Sequence, residues 1–67
     1  MQAHEQRVVD EKAELDTKIA KLWEFIGGDV WRSLPWVEQR LLAIQHDQMT
    51  AYSTTLGTRI ECFGSKT

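Results

Sequence analysis

The sequence predicts an all-α protein, in which two antiparallel helices form a hairpin and copies of the hairpin assemble into a homo-oligomeric helical bundle. Three observations predict this fold. Apolar residues recur at helical spacing in two long segments, one glycine- and proline-containing break separates the segments, and the apolar surface is broader than one hairpin can bury. Residues 1–67 therefore make a single domain, and a domain of this length has a marginal core of its own.

The first helix is predicted over residues 3–26. Its apolar positions follow the spacing of one helical face, and most residues between them are charged. The positions are Val8, Leu15, Ile19, Leu22 and Ile26. Gly27 and Gly28 end the helix, because glycine readily adopts the left-handed conformation that follows many helix C-termini.

A turn over residues 27–34 is predicted to lead into a second helix over residues 35–63. Ser33 is a favoured N-cap residue, and Pro35 suits the first turn of a helix. Gly57 lies within this helix and lowers its helix propensity by about 1 kcal/mol, so the segment can bend or loosen there.

The second helix carries two apolar stripes. The first consists of Leu42, Met49, Tyr52, Leu56, Ile60 and Phe63, and the second of Val37, Leu41, Ile44 and Ala51. One stripe can face the first helix. The other is expected to be covered by another copy of the chain, because soluble monomers avoid exposed apolar patches.

Composition excludes several classes of function. A net charge of −2 and a pI near 5.5 disfavour duplex nucleic acid and anionic membranes as partners. No apolar run is long enough to span a membrane and no export leader is recognisable, so a cytoplasmic location with a reduced Cys62 is expected. The single cysteine excludes an intrachain disulfide, and His4 and His46 lie too far apart for a zinc motif. We therefore expect neither a metal nor a cofactor.

Catalysis has no support in the sequence. Neither histidine belongs to a recognisable nucleophile signature, and no glycine-rich phosphate loop follows a strand. We therefore expect no catalytic residue and a chain that is not an enzyme.

A polar row on the second helix is the best candidate for binding. Gln45, Tyr52 and Arg59 recur every seven residues, so they line one face. An amide, an aromatic ring and a guanidinium suit a ligand with a base edge, a ring system and a phosphate. The alternative is that the row makes hydrogen bonds between oligomer partners, where tyrosine and arginine are also common.

On the first helix, Arg7, Glu11, Glu14 and Lys18 form another row, with Arg7/Glu11 and Glu14/Lys18 at the i, i+4 spacing of ion pairs. Such a row is usually a solvated surface, but Arg7 and Lys18 become phosphate ligands if they border a groove. Lys12 interrupts the apolar face; either its methylenes pack while its ammonium reaches solvent, or it contacts an anion.

Three tryptophans surround the turn. Trp23, Trp31 and Trp36 either pin the helices together there or contact a partner. Pinning is the favoured interpretation.

The combined pattern resembles a family of small helical proteins encoded by tailed bacteriophages. The resemblance covers residues 5–63, and its most distinctive members are Gln45, Tyr52 and Arg59. The other residues that carry it are Arg7, Val8, Glu11, Glu14, Leu15, Lys18, Ile19, Leu22, Phe25, Ile26, Leu34, Glu38, Gln39, Leu41, Leu42, Met49, Leu56 and Ile60.

The resemblance implies a phage accessory protein of the anti-defence type in the cytoplasm of the host cell. Short helical phage proteins include oligomeric sponges that sequester the nucleotide signals of CBASS or Thoeris immunity. By analogy, pockets between protomers hold a cyclic oligonucleotide or a cyclic ADP-ribose-type nucleotide without cleaving it. Arg59 with Arg7 or Lys18 then binds phosphate, Tyr52 stacks on a ring and Gln45 reads the base.

Two alternatives share this fold. The apolar second stripe can dock on a host or phage protein as a helix in a groove, which makes the chain a protein-directed inhibitor or interaction module. A purely structural oligomer, in which no pocket exists, is the third possibility.

Overall fold

The computed structural model describes residues 2–63, so Met1 and residues 64–67 lie outside the description. The described chain contains the helices α1 (Ala3–Phe25), α2 (Asp29–Ser33) and α3 (Trp36–Phe63). The all-α class predicted from the sequence is confirmed. The Cα atoms span 51 × 15 × 14 Å, the shape of a short rod two helices wide.

The helices α1 and α3 lie side by side in opposite directions. Lys12 meets Gly57, Asp16 meets Ser53 and Trp23 meets His46. In each pair the two residues are equally far along the chain from the point between Leu34 and Pro35. The two antiparallel helices therefore keep one register along their contact.

This register leaves one end of α3 without α1 beside it. If the register continues, the last residue of α1, Phe25, is level with Ile44, and residues 36–43 extend beyond the end of α1. We call residues 36–43 the α3 overhang. Helix α2 lies next to it, because the Gln39 side-chain amide donates a 2.7 Å hydrogen bond to the Trp31 carbonyl.

A tight turn ends α1. The Gly28 N–H donates a 3.1 Å hydrogen bond to the Phe25 carbonyl. Ile26 has φ −68° and ψ 125°, and Gly27 has φ +92°, which are the values of a type II turn with glycine at its third position. Helix α1 therefore ends at Phe25, one residue before the predicted boundary, because Ile26 is already extended.

The segment predicted as a turn contains α2, and Ser33 is not the N-cap of α3. The Ser33 hydroxyl instead donates a 2.7 Å hydrogen bond to the Val30 carbonyl within α2. The Pro35 carbonyl accepts the first α3 hydrogen bond, from the Gln39 N–H at 3.1 Å. A proline can precede a helix in this way because its own missing N–H has no partner to lose there.

The core between α1 and α3 is narrow. Among the described residues, Leu56 is the side chain that is fully buried, and Val8 is 7% exposed. Two polar residues are also buried, Glu5 and Ser53. The Glu5 carboxylate accepts a 2.8 Å hydrogen bond from the backbone N–H of Gln2 at the start of α1.

A polar clasp joins the helices beside Leu56. The Lys12 ammonium lies 2.7 Å from Asp16, and the Asp16 carboxylate also accepts a hydrogen bond from the Ser53 hydroxyl on α3. We call Lys12, Asp16 and Ser53 the interhelical clasp. It resolves the two interpretations of Lys12: its ammonium binds a carboxylate of the same helix, and its side chain is 30% exposed.

Gly57 gives Lys12 its space. A Cβ atom at position 57 would lie 3.3 Å from the Lys12 Cε, tighter than ordinary van der Waals contact. Helix α3 continues through Gly57 to Phe63. The missing side chain lets the lysine methylenes pack against the α3 backbone.

The clasp should make stability depend on pH in the acid range. The hydrogen bond from Lys12 lowers the pKa of Asp16 below its ordinary value of 3.8, the Ser53 hydrogen bond lowers it further, and partial desolvation opposes both. A carboxyl whose pKa is lowered by folding stabilises the fold above its unfolded-state pKa, and this contribution is lost as the pH falls through the folded-state pKa.

We therefore expect Asp16→Asn to lower the melting temperature at pH 7 and to have a smaller effect at about pH 2, because the contribution of the charged carboxylate shrinks as the pH falls below 3.8 towards its folded-state pKa. Thermal unfolding followed by circular dichroism measures this difference. Asp47→Asn, the same change at an exposed position of α3, is the control and should have little effect at either pH. An equal loss at both pH values for Asp16→Asn would contradict the role of its charge.

Candidate ligand-binding face

One hydrogen bond connects the two polar rows of the sequence. The Tyr52 hydroxyl on α3 donates to the Glu11 carboxylate on α1. Arg59 follows Tyr52 by two helical turns on the same face of α3, and its positive charge acts on the Tyr52 hydroxyl. Tyr52, Glu11 and Arg59 therefore form one cluster on the flank of the helix pair, and the Tyr52 side chain in it is 45% exposed.

This environment changes the acidity of Tyr52. The hydrogen bond to Glu11 raises the pKa of the phenol above its ordinary value of 10.0, and desolvation and the negative charge of Glu11 raise it further. The positive charge of Arg59 opposes these effects. The phenol therefore stays protonated at neutral pH and acts as a hydrogen-bond donor.

The remaining predicted site residues extend the cluster along both helices. Gln45 is exposed, and its side-chain amide lies 3.9 Å from the Met49 sulfur. Arg7 and Lys18 are exposed on α1, one turn before and two turns after Glu11. The structure thus brings Tyr52 to Glu11, and the charge of Arg59 acts on the same hydroxyl, whereas Gln45, Arg7 and Lys18 lie further along the same rows.

The ion pairs expected along α1 do not form. Within residues 2–63, the ion pairs join Lys12 to Asp16 and Arg32 to Asp29. Glu11 binds Tyr52 instead of Arg7, so the cations Arg7 and Lys18 lie on the surface without a carboxylate partner from the described part of the chain.

The second apolar stripe is exposed on the single chain. The exposed fractions are 47% for Val37, 54% for Leu41 and 41% for Ile44. Val37 and Leu41 belong to the α3 overhang, where α1 does not reach. The Gln45, Tyr52 and Arg59 row lies between this stripe and the buried side of α3, as their helical spacing requires.

The tryptophans do not form one cluster. Trp23 packs on His46 of α3, with ring centroids 5.1 Å apart, so this residue does join the helices. Trp36 is 71% exposed at the start of the α3 overhang. Trp31 is half-buried in α2, and its carbonyl accepts the hydrogen bond from Gln39.

The single chain offers no enclosed site. No pocket is found in the described structure, and residues 2–63 contain no group of three or more histidine, cysteine or acidic side chains arranged to hold a metal ion. None of the helices in this range combines the length and apolar character that crossing a lipid bilayer requires.

Sequence reasoning missed the contacts made by Glu11, Asp16 and Ser53. Glu11 was assigned to a solvated row, although its bond to Tyr52 connects the helices. Ser53 and Gly57 are small residues one turn apart on α3, and Lys12 and Asp16 are polar residues one turn apart on α1. That pairing of small with polar positions is the signal from which the clasp was predictable.

The fold and this face define a small all-α protein with an exposed polar row between two helices. A family model described as Sequestin matches residues 2–62, and the chain belongs to the Sequestin family. This match confirms the family resemblance stated from the sequence, and the family name indicates a sequestering role. No curated protein and no solved structure matches the chain.

The contact between Tyr52 and Glu11 can be measured directly, because Tyr52 is the only tyrosine of the chain. An ultraviolet absorbance titration therefore follows this phenol alone. Glu11→Gln should lower the pKa of Tyr52, since it removes the charge that disfavours the phenolate.

Glu14→Gln is the matched control, because it removes the same charge from the same row of α1. It should leave the titration close to that of the wild type. Equal titration curves for the wild type and the Glu11→Gln variant would contradict the contact.

Proposed function

We propose that this chain is a phage anti-defence protein that sequesters a nucleotide immune signal by stoichiometric binding in the host cytoplasm. The ligand is a cyclic oligonucleotide or a cyclic ADP-ribose-type nucleotide, which is held without cleavage in pockets between protomers. The observation that carries the proposal is the exposed Tyr52 and Arg59 cluster in a chain of the Sequestin family.

The chemistry of the cluster supports a nucleotide. The half-exposed Tyr52 ring offers a stacking surface for a base, and the guanidinium of Arg59 can bind a phosphate through two parallel hydrogen bonds. Arg7 and Lys18 add positive charge on the neighbouring row of α1. Gln45, one heptad before Tyr52, supplies an amide that both donates and accepts hydrogen bonds to a base edge.

The site is proposed to be shared between protomers because the flank of one chain is open. A single helix pair provides a floor and one wall, whereas tight binding of a small ligand usually requires burial of most of its surface. Hairpins assembling through the exposed stripe of α3 would supply the second wall.

We expect the native protein to be stabilised by one member of a panel of cyclic dinucleotides, cyclic trinucleotides and cyclic ADP-ribose isomers. A ligand at one hundred times its dissociation constant stabilises the native state by about 2.7 kcal/mol. A thermal-shift assay measures the effect, and chromatography of the released compound should recover it unchanged. Absence of stabilisation across the panel would reject the nucleotide proposal.

Arg59→Gln should weaken binding of that compound by about tenfold or more, because a hydrogen bond to a charged group contributes roughly 1.5–3 kcal/mol. Arg40→Gln is the matched control, since Arg40 is exposed on α3 but lies outside the row, and it should bind like the wild type. Equal losses in both variants would indicate a general charge effect and count against the assigned site.

A protein-directed inhibitor is the second candidate. The exposed Val37, Leu41 and Ile44 favour it, because an apolar stripe on a helix suits a groove on another protein. In that case substitutions in the stripe abolish inhibition while the nucleotide panel gives no stabilisation.

A further inference from the structure

One side of α3 is free of charge along almost the whole helix. Eight positions from Val37 to Cys62 follow one another at alternating spacings of four and three residues, and every one of them is exposed. They are Val37, Leu41, Ile44, Gln48, Ala51, Thr55, Thr58 and Cys62. We call these eight residues the uncharged seam.

The spacing of the seam is that of helix-on-helix packing. An alternation of four and three residues keeps side chains on one side of a helix that packs along another helix over many turns. The distance from Val37 to Cys62 is about 38 Å at the rise of an α-helix. By contrast, the outward-facing surface of α1 carries charges such as Arg7, Glu14 and Lys18.

The accessible area of the chain is larger than that of a compact monomer of the same mass. A folded monomer of this mass exposes about 4,400 Å² according to the usual scaling. The chain exposes 5168 Å². The excess of about 800 Å² goes with the elongated shape of 51 × 15 × 14 Å, and an area of this size is what one partner contributes to a standard protein interface.

We infer that the uncharged seam pairs with the same seam of a second copy, and that the two α3 helices run antiparallel. This inference rests on the self-association in the proposed function and specifies its surface. A second copy is the partner of choice because its seam has the same length and the same lack of charge, so neither helix buries an unpaired charge.

The order of residue sizes along the seam selects the antiparallel arrangement. Its first three residues are large and apolar, whereas four of the last five are small. An antiparallel pair centred between Met49 and Thr50, at the middle of the seam, places large residues against small ones at each level. The resulting pairs are Val37 with Cys62, Leu41 with Thr58, Ile44 with Thr55, and Gln48 with Ala51.

A parallel pair packs less evenly. It places the large residues against copies of themselves at one end and the small ones against each other at the other end, so the two helices cannot keep one separation. Interdigitation of large with small side chains favours even packing along an interface. Antiparallel pairing also places both Tyr52 rows on the same side of the dimer, where the partner's α3 forms the second wall.

Sedimentation tests the seam without any nucleotide. Leu41→Lys introduces a charge into the seam and should weaken self-association at least tenfold. Val30→Lys is the matched control, since Val30 in α2 is 59% exposed, close to the 54% of Leu41, and lies outside the seam. A Leu41→Lys chain that assembles like the wild type, or a wild-type chain that sediments as a folded 7.8 kDa monomer, overturns the inference.

Disulfide trapping tests the direction of pairing and does not depend on the stability of a charged variant. The chain has one cysteine, Cys62, and it is exposed at the end of the seam. Antiparallel pairing places Cys62 opposite Val37 of the second copy. Val37→Cys should therefore give a covalent dimer on mild oxidation, since a disulfide forms only when the two Cα atoms lie about 4.4–6.8 Å apart.

Two controls complete the trapping experiment. The wild type and the double variant Val37→Cys with Cys62→Ser should both remain uncrosslinked, because antiparallel pairing keeps like positions about 38 Å apart at the ends of the seam. Crosslinking of either control indicates parallel pairing and overturns the inference, as does absence of crosslinking in Val37→Cys. If the covalent dimer forms but no nucleotide stabilises the protein, the nucleotide proposal is rejected and the inferred pairing of the seams stands.

Discussion

The narrow contact between α1 and α3 is the constraint on which the rest of the structure depends. Two helices share one surface, and here that surface completely buries Leu56 and almost completely buries Val8. The interhelical clasp of Lys12, Asp16 and Ser53 lies beside this core, and Gly57 allows the approach that the clasp requires. The hydrogen bonds from Ser53 to Asp16 and from Tyr52 to Glu11 thus join the helices where the apolar core is small, and the ion pair with Lys12 within α1 holds Asp16 in place.

The same constraint explains where the candidate site lies. Because the core is narrow, the flanks of both helices stay accessible, and polar side chains can meet across them. Tyr52 reaches Glu11 in this way, and the charge of Arg59 acts on the same hydroxyl. The proposed ligand site is therefore a flank of the helix pair, and the accessible stripe of α3 next to it is where a second chain would close it.

The sequence predicted the helices well because their apolar spacing is regular. The helical spacing alone assigns Leu15, Ile19 and Leu56 to the apolar faces of their helices, and this spacing is visible in the sequence of any amphipathic helix. The end of α1 was predicted to within one residue because Gly27 is needed where φ is positive. Helix α2 was missed because a five-residue helix is too short to have a period.

The contacts between side chains were less predictable. The i, i+4 rule assigned Glu11 to Arg7, yet the rule considers one helix at a time, and Tyr52 comes from the other helix. Lys12 and Gly57 were each interpreted alone, although each explains the other. Which polar residues meet depends on the register between α1 and α3, and that register is set by the whole packing surface.

The α3 overhang can change in sequence with little effect on the rest of the fold. Residues 36–43 lie beyond the last turn of α1, so they contribute little to the packing around Leu56 and the clasp. Relatives of this protein can therefore exchange side chains such as Trp36 and Leu41 at small cost to the fold of the single chain. A lineage under selection to change its association partners has, in these two turns, a part of the molecule that can diverge on its own.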